Sequence, residues 1–370
     1  MKVLQINPFI DPEGRSLDAL LDAWWTLRHC ARGAAEAGAE VSVLQASLRQ
    51  EALQREGVAY HGLLLLGPDG RPTPSLIERV RALRPDVLHL HGLGFFDEAR
   101  QLAALLPGRP LLLQDHAARA PSRPWHWWRW RRGLAPARGL IFHAAAQARP
   151  FVRRRLVARH TGLYEVPEAS SDFQPRVHDA ARRLTGVAGA PALLWVGHLA
   201  ANKDPLTVLD GVARAAERLP GLQLWMCFGE APLLSAVRER LRDPRLAGRV
   251  HLLGRVPHAQ VELLMAAADL LVQGSHREGS GYSLIEALAC GLPPVVTDIP
   301  SFRSLVGELP AAGAAALWPV GQAARLADAI VSLANAPPSR PQVRARFDAH
   351  CSVAALGRGL MAAYTGALAA

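Results

Sequence analysis

Short apolar runs alternate along the chain with stretches in which apolar residues recur every three or four positions. The short runs are typical of buried strands, and the three-to-four spacing is typical of helices that pack on one side. Leu17–Ala31 shows the helical spacing directly after Ser16, a suitable N-cap, and Gly38 follows as a stop signal. The alternation predicts an α/β protein whose mostly parallel sheets are covered by helices on both faces.

The predicted elements form two series. The strands of the first series are Val3–Ile6, Glu40–Gln45, Leu63–Leu66, Val87–His91, Leu111–Gln114, Leu140–His143 and Tyr164–Val166, with further helices at Ile77–Leu83 and Glu98–Leu105. The strands of the second series are Leu193–Val196, Leu222–Phe228, Val250–Leu253, Leu270–Gln273 and Pro294–Thr297. Its helices are Pro205–Arg218, Leu233–Leu241, Val261–Ala268 and Ser283–Cys290, and the chain is helical again from about Val343.

Residues 167–191 interrupt this rhythm with polar residues, prolines and glycines, and we interpret them as an interdomain connection. The predicted domains are 1–170 and 171–350, two doubly wound, Rossmann-like α/β halves, followed by a helix over 351–370. A length of 370 residues suits two domains. Ligands of such sheets bind beyond the carboxyl ends of the strands, so we expect the two halves to face a ligand cleft.

The densest group of candidate chemical residues follows the predicted strand Leu270–Gln273. Glu278 and Glu286 stand on either side of a glycine loop that opens a helix. The loop glycines let the backbone approach a ligand, and the first amides of the helix form an anion site. These residues are Gly279, Gly281, Tyr282, Ser283 and Leu284. A diphosphate flanked by sugar hydroxyls fits this layout, whereas the alternative is a plain loop–helix turn with a solvated Glu278.

This segment resembles the E-x7-E motif of the family 4 retaining glycosyltransferases (glycosyl transferases group 1), which have the GT-B fold. The resemblance implies that Glu278 contacts the donor sugar and Glu286 the nucleotide ribose. It also implies that the amides of Gly281, Tyr282 and Ser283 contact sugar hydroxyls and the diphosphate. Further implications are that no metal or other cofactor is needed and that the helix 351–370 returns to the first domain.

A second group follows the first strand of the second half. Gly197 makes a turn there, and His198 and Lys203 come after it. Cationic side chains at such a turn suit the charge that develops on a departing diphosphate. The segment resembles the family element G-R-L-x-x-x-K, in which Arg and Lys bind the diphosphate. Lys203 matches the lysine, but His198 replaces the arginine and offers a single hydrogen bond in place of a bidentate contact.

A third group ends the strand Leu111–Gln114. His116 resembles the strand-end histidine that the family places near the anomeric carbon, and Asp115 is interpreted as orienting it or contacting the acceptor. His89 and His91 alternate along another strand, so we expect only one to face the cleft, and His91 is nearer the strand end. We reject a metal site at His89, His91, His116 and His143, because they are spread over several strands without ligand spacing.

Further residues are weaker candidates. Gly14 and Arg15 lie where the family has a Gly-Gly pair near the diphosphate. Arg255 and Val256 lie at the end of a strand that, in the family, approaches the nucleotide base. Residues 123–132 combine four tryptophans with four arginines, including Trp127 and Arg129. This stretch suits an anionic membrane surface or stacking on sugars, and the alternative is a helix with tryptophans in the core. Its position favours the acceptor side, and no other nucleic-acid motif accompanies it.

Composition adds little to this picture. The net charge is +10, nearly all of it from arginine, because only Lys2 and Lys203 are lysines. The charge suggests anionic partners, although coding bias explains it equally well. We interpret the four cysteines as small core residues. Neither a signal peptide nor a membrane-spanning segment is apparent in the sequence. We therefore expect a cytoplasmic protein that is peripheral to the membrane at most.

The prediction from the sequence is therefore a GT-B enzyme that moves a sugar from a nucleoside diphosphate to a glycan, lipid-linked or small-molecule acceptor with retention. His116, Glu278 and Lys203 are its predicted catalytic residues. A GT-B sugar-nucleotide epimerase and a degenerate sugar-nucleotide-binding protein remain as alternatives. A Rossmann dehydrogenase is disfavoured, because no G-x-G-x-x-G follows the first strand.

Overall fold

The computed structural model describes residues 1–116, 118–307 and 316–369. The chain divides into two compact units, one made of Met1–Ser170 with Val353–Ala370 and the other of Ser171–Ser352. Each unit is built on its own sheet. Helices cover both sheets and pack against them through apolar residues, as the alternating pattern predicts.

The strands of both units are short and mostly buried. Those of the first unit are β1 (Lys2–Asn7), β2 (Glu40–Ala46), β3 (Glu51–Arg55), β4 (Val58–Leu63), β5 (Val87–His91), β6 (Leu111–Gln114), β7 (Ala137–Phe142) and β8 (Gly162–Glu165). Those of the second are β9 (Ala192–Gly197), β10 (Gln223–Phe228), β11 (Val250–Gly254), β12 (Leu270–Gln273), β13 (Pro294–Thr297) and β14 (Ala316–Trp318). Within the described residues the sheet orders are β3-β4-β2-β1-β5-β6-β7-β8 and β11-β10-β9-β12-β13-β14. All of these pairs are parallel except β3 with β4.

The helices connect these strands. They are α1 (Leu17–Ala23), α2 (Trp25–Glu36), α3 (Pro74–Leu83), α4 (Phe96–Leu105), α5 (Trp127–Leu134), α6 (Ala145–Arg153), α7 (His178–Thr185), α8 (Pro205–Ala216), α9 (Leu234–Arg240), α10 (His258–Ala267), α11 (Tyr282–Ala289), α12 (Pro300–Val306), α13 (Ala323–Asn335), α14 (Arg340–His350) and α15 (Val353–Ala369). Short 3₁₀ turns occupy Pro124–His126, Ala201–Lys203 and Pro244–Leu246. Ser16 caps α1 as predicted, its hydroxyl accepting the Ala19 N–H at 3.4 Å.

Several boundaries differ from the pattern-based prediction. The single helix predicted over Leu17–Ala31 is interrupted at Trp24, where the backbone leaves the helical region and α2 begins anew. The strand predicted at Leu63–Leu66 instead ends at Leu63. The predicted connection 167–191 contains α7, which Arg182 fastens to Asp269 at 2.7 Å. Long-range contacts of this kind leave no local periodic signal.

Strand order brings particular loops together at the carboxyl ends. In the second unit β9 and β12 are neighbours in register, Leu193 beside Leu270, so the loops after both strands emerge side by side. In the first unit β5 and β6 are neighbours, with His91 opposite Gln114. The residues after β6 therefore lie next to the end of β5. These two junctions hold most of the candidate residues.

The apolar residues of both units are packed away from solvent. The largest fully buried side chains include Trp195, Trp318, Tyr60 and Tyr364. All four cysteines are free and buried, which confirms their interpretation as core residues. Burial raises the pKa of the Cys30 thiol to about 12, so this thiol stays protonated and unreactive at neutral pH.

Candidate functional site

Lys203 and Glu278, predicted separately from two motifs, meet in the structure. The Lys203 ammonium donates to Glu278 Oε1 at 2.5 Å, across 75 residues of sequence. Both side chains are largely shielded, at 22% and 12% exposure. The neighbouring positions of β9 and β12 create this contact, because each residue lies in the loop that follows one of these strands. An ammonium group and a carboxylate therefore lie in contact at the carboxyl edge of the second sheet.

Hydrogen bonds hold these two loops against each other. The Asn202 side-chain amide donates to the Arg277 carbonyl at 2.8 Å, and the His276 N–H donates to the Asn202 carbonyl at 2.8 Å. His276 Nε2 also lies 2.9 Å from Asp204 Oδ2. Lys203 and Glu278 are thus presented by a cross-linked pair of loops, which limits how far either can move before a ligand arrives.

The start of α11 has the geometry that the glycine motif predicted. Gly281 precedes the helix with φ of 79°, a left-handed conformation that glycine tolerates best. A Cβ at Gly281 would lie 2.6 Å from the ring of Phe302, so packing also requires glycine there. Gly279 lies half-buried in the preceding loop, and the Ser283 hydroxyl accepts from the side-chain amide of Gln273.

One predicted amide does not face a ligand. The Leu284 N–H donates to the Gly281 carbonyl at 2.9 Å, closing a turn inside the first residues of the helix. The expectation that the amides up to Leu284 are open to an anion is therefore corrected at Leu284. The turn tightens because the left-handed Gly281 brings its own carbonyl over the helix start.

Glu286 is buried one turn into α11 and is bonded to a histidine that the sequence reasoning missed. His258 Nε2 lies 2.6 Å from Glu286 Oε1, and the His258 ring packs 4.5 Å from the ring of Phe173. His258 begins α10 directly after Arg255, Val256 and Pro257. The sequence offers one indication of a role for His258, which is that it closely follows the predicted base-binding turn. The contact fixes the orientation of the Glu286 carboxylate.

His198 and Arg255 both close around Gly229. A Cβ at Gly229 would lie 3.3 Å from the His198 ring and 3.7 Å from the Arg255 guanidinium. His198 Nδ1 accepts the Glu230 N–H at 3.0 Å, which leaves its Nε2–H to be donated outward. Both side chains are exposed, and Val256 beside them is half-buried. A guanidinium therefore stands close to the position where the family motif has its arginine.

In the first unit His116 lies in a hydrogen-bonded chain. His116 Nδ1 lies 2.6 Å from Glu168 Oε1, and His116 Nε2 lies 3.1 Å from His91 Nδ1. His91 Nε2 in turn faces Gln5 Oε1 at 3.4 Å. Glu168 is buried, and no motif in the sequence indicates a chemical role for it. Glu168 lies just before the unit boundary, 52 residues after His116, and no local sequence pattern predicts a contact over that distance.

The interpretation of His89 and His91 is wrong in one respect. Their rings stack with centroids 4.5 Å apart, so both lie on the same face of β5, as residues two apart on a strand do. Both are buried, and desolvation lowers the pKa of His89 to about 3 and that of His91 well below its ordinary value. His91 therefore supports His116 and is not offered to an acceptor.

Asp115 is buried, and its Oδ1 accepts the Ala118 N–H at 2.8 Å, which shapes the loop after β6. Arg15 already contacts two carboxylates, with Nε 2.9 Å from Glu13 Oε2 and Nη1 3.7 Å from Asp11 Oδ1. Gly14 and Arg15 line a cavity of about 140 Å³ beside the ends of β1 and β2.

The tryptophans of the Trp/Arg stretch divide between core and surface. Trp127 packs against the core of the first unit and donates its indole N–H to the Pro121 carbonyl at 3.1 Å. This packing favours the core alternative for Trp127 over an acceptor contact. Trp125 and Trp128 are 62% and 63% exposed, and Arg129 is exposed as well.

The described residues 1–116, 118–307 and 316–369 contain no cluster of three or more His, Cys, Asp or Glu side chains placed to hold a metal ion. Over the same residues, no helix combines the length and apolar character needed to cross a bilayer.

Comparison with known proteins agrees with this architecture. The structure superposes on that of HepE from Anabaena, solved with UDP, with a TM-score of 0.72 over 99% of this chain and 100% of that one, at 19% identity. A 2-deoxystreptamine N-acetyl-D-glucosaminyltransferase of Streptomyces fradiae is 29% identical over 62% of this chain and 58% of its own length. A GDP-mannose:cellobiosyl-diphosphopolyprenol alpha-mannosyltransferase of Xanthomonas oryzae is 26% identical over 64% of this chain and 61% of its own length. The chain thus spans about three fifths of the curated relatives it matches.

The fold is GT-B, two Rossmann-like units with parallel sheets, as the solved structures of that class have. The model of "Glycosyltransferase Family 4" matches residues 23–161, and that of "Glycosyl transferases group 1" matches residues 190–336. Together they cover most of the chain, and the chain belongs to the group 1, family 4 glycosyltransferases.

Proposed function

We propose that this protein is a retaining glycosyltransferase that moves a sugar from a nucleoside diphosphate to an acceptor hydroxyl. The observation that carries the proposal is the contact between Lys203 and Glu278 at the carboxyl edge of the second sheet, beside the start of α11. A cation for the diphosphate and a carboxylate for the sugar are the two groups that binding a sugar nucleotide requires.

In the proposed reaction the bond between the anomeric carbon and the diphosphate oxygen breaks, and the acceptor oxygen bonds to that carbon on the same face. The acceptor proton passes to the departing diphosphate, so no protein base is needed. Lys203 stabilises the negative charge on the leaving group more strongly as the bond lengthens. Donor binding separates the Lys203–Glu278 pair, and Glu278 then accepts from a sugar hydroxyl.

The remaining donor contacts follow from the same geometry. His198 donates Nε2–H toward the diphosphate, and Arg255 supplies a guanidinium beside it around Gly229. Glu286, held by His258, accepts from the ribose hydroxyls. We propose that Arg255 compensates for the arginine that His198 replaces. No catalytic metal is part of this proposal.

The acceptor is proposed to be a glycan, a lipid-linked sugar or a small polyol. The names of two relatives support this range, since one acts on a diphosphopolyprenol-linked sugar and another on 2-deoxystreptamine. His116, fixed by Glu168 and His91, is the proposed first-unit residue nearest the transferred sugar.

The proposal is tested with UDP-, GDP- and ADP-sugars. We expect one of them to raise the thermal unfolding midpoint, and Lys203→Ala to lower the rate of donor turnover by about a hundredfold or more because the leaving-group charge is left unpaired. Glu278→Gln is expected to weaken turnover similarly. Lys2→Ala removes the other lysine, which is half exposed on the first unit, and serves as the matched control with unchanged rates.

Two results would contradict the proposal. Stabilisation by none of the three donors would remove its basis, and undiminished turnover in Lys203→Ala would remove the site assignment. Conversion of the sugar nucleotide into its epimer without any acceptor would instead identify the epimerase alternative.

A further inference from the structure

The positive charge of the chain is concentrated in one segment. Residues 116–164 contain eleven arginines and no aspartate or glutamate. Removing these eleven from the 42 Lys and Arg leaves 31 against the chain's 32 Asp and Glu. The whole net charge of +10 is therefore accounted for within this segment, whereas uniform coding bias would distribute it along the chain.

The fold presents part of this segment to solvent through α5. Trp127 and Trp130 are three residues apart on the helix and both pack against the first core. Trp128 therefore points away from that core, and it is 63% exposed, while Trp125 in the preceding turn is 62% exposed. Large exposed aromatic residues beside unpaired arginines are unusual on a surface that contacts only water.

Helix α6 continues this surface. The Arg131 side chain donates to the Arg155 carbonyl at 2.8 Å, and the rings of Trp130 and Phe151 lie 5.5 Å apart. The end of α6 is thus joined to α5. Val152, near that end, is 46% exposed between arginines. We call residues 123–132 and 149–159 together the Arg/Trp surface.

The arginines of this surface are available for an external partner. Among the described residues, no carboxylate forms an ion pair with Arg129, Arg132, Arg149, Arg153 or Arg159, all of which are exposed. The nearest acids in sequence, Asp115 and Glu165, lie outside the segment, and Asp115 is buried. The surface therefore combines uncompensated positive charge with exposed apolar rings.

We propose that the Arg/Trp surface docks on a lipid membrane that contains anionic phospholipid. Tryptophan rings lie favourably at the boundary between headgroups and acyl chains, and guanidinium groups bind lipid phosphates with two hydrogen bonds. A nucleic acid fits less well, because the Arg123 guanidinium lies 5.5 Å from the centre of the Trp125 ring, where a base would stack. Docking adds a partner to the proposed sugar transfer and does not depend on it.

The test is sedimentation of the full chain with vesicles of phosphatidylcholine, alone or mixed with phosphatidylglycerol, in the absence of any sugar nucleotide. We expect binding to the mixed vesicles about tenfold or more stronger than to the neutral ones, and weaker at high salt. Trp125→Ala/Trp128→Ala and Arg132→Gln/Arg153→Gln should each reduce binding several-fold. Their exposure makes unchanged thermal unfolding the expected result for both variants.

Matched controls lie on the second unit. Arg214 and Arg325 are exposed without ion pairs to described carboxylates, and Leu184 is 75% exposed. Arg214→Gln/Arg325→Gln and Leu184→Ala should bind vesicles as the parent chain does. Equal binding to neutral and anionic vesicles, or equal losses in the control variants, would overturn the proposal. Binding to single-stranded DNA but not to vesicles would also overturn it and identify a polyanion site.

Discussion

At the scale of single residues, the protons of the His116 chain can be assigned from its partners. The Gln5 amide donates to the Cys30 carbonyl and to the Tyr364 hydroxyl, each at 3.2 Å, so its oxygen faces His91. His91 Nε2 therefore carries a proton, and His91 Nδ1 accepts from His116 Nε2–H. One further proton is shared between His116 Nδ1 and Glu168. For the proposed sugar transfer, we therefore propose Glu168 as a positioning residue that acts through His116.

Glu168→Gln tests this role. The amide keeps a polar atom within reach of His116 but removes the carboxylate charge, so we expect kcat of sugar transfer to fall about tenfold or more. The KM for the donor should stay within about twofold, because the proposed donor residues lie on the second unit. Steady-state kinetics measure both values. A loss of stability that accounts for the lost activity would show a merely structural role, and Glu168→Asp should recover part of kcat.

At the scale of elements, α15 and α2 cross at two glycines. A Cβ on Gly357 would lie 2.1 Å from the Gly33 carbonyl oxygen, and a Cβ on Gly33 would lie 2.9 Å from the Val353 carbonyl oxygen. The backbones of the two helices therefore touch directly. This contact fastens the last helix to the first unit, and Tyr364 on α15 reaches the His89 ring at 2.8 Å.

Gly357→Ala should loosen this crossing. Alanine favours a helix over glycine by about 1 kcal/mol, yet here its methyl group meets backbone atoms that cannot yield. We expect a net loss of about 1–3 kcal/mol in the free energy of unfolding, measured by denaturant titration. The exposed neighbour Arg358→Ala is the control and should change that free energy by less than about 0.5 kcal/mol. A stabilised Gly357→Ala variant would show that the helices do not meet this closely.

Elements with a strong periodic pattern were predicted from the sequence, and those held by distant contacts were not. The buried strands β5 and β6 read as continuous apolar runs. In contrast, β3 is a half-exposed edge strand, and α6 contains Pro150, a residue that usually ends a helix. Their positions follow from pairing with β4 and packing against Trp130, which no local pattern records.

At the scale of the whole molecule, the response of the chain to acid depends on two buried histidines of the first unit. The first unit buries His89 and His91 in neutral form, because desolvation lowers the pKa of both, to about 3 for His89. A coulombic interaction with His116 adds to the lowering of both pKa values. The facing titratable groups are His116, Glu168, Cys30 and Tyr364, and burial keeps the latter two protonated by raising their pKa values.

We expect the first unit to lose stability below about pH 6.5. Below that pH the unfolded chain binds protons at His89 and His91, whereas the folded chain keeps both rings neutral. The contribution of these histidines to the free energy of unfolding is therefore fully present above about pH 6.5 and declines toward pH 3. The slope is at most about 1.4 kcal/mol per pH unit for each histidine. Thermal unfolding between pH 7 and pH 5 measures it. His89→Gln still accepts from the Tyr364 hydroxyl but cannot titrate, and an unchanged slope in this variant would refute the assignment.

The sequence by itself determined the α/β class, the two series of strands and the two glycine-containing motifs, because apolar spacing and glycine loops are local properties. It also identified Lys203 and Glu278 singly. Only the tertiary structure decided that these two residues form an ion pair, that His258 holds Glu286 and that Glu168 holds His116. These contacts depend on strand order, which brings together loops far apart in sequence. Strand order is set by the burial of whole faces, and no short stretch of sequence specifies it.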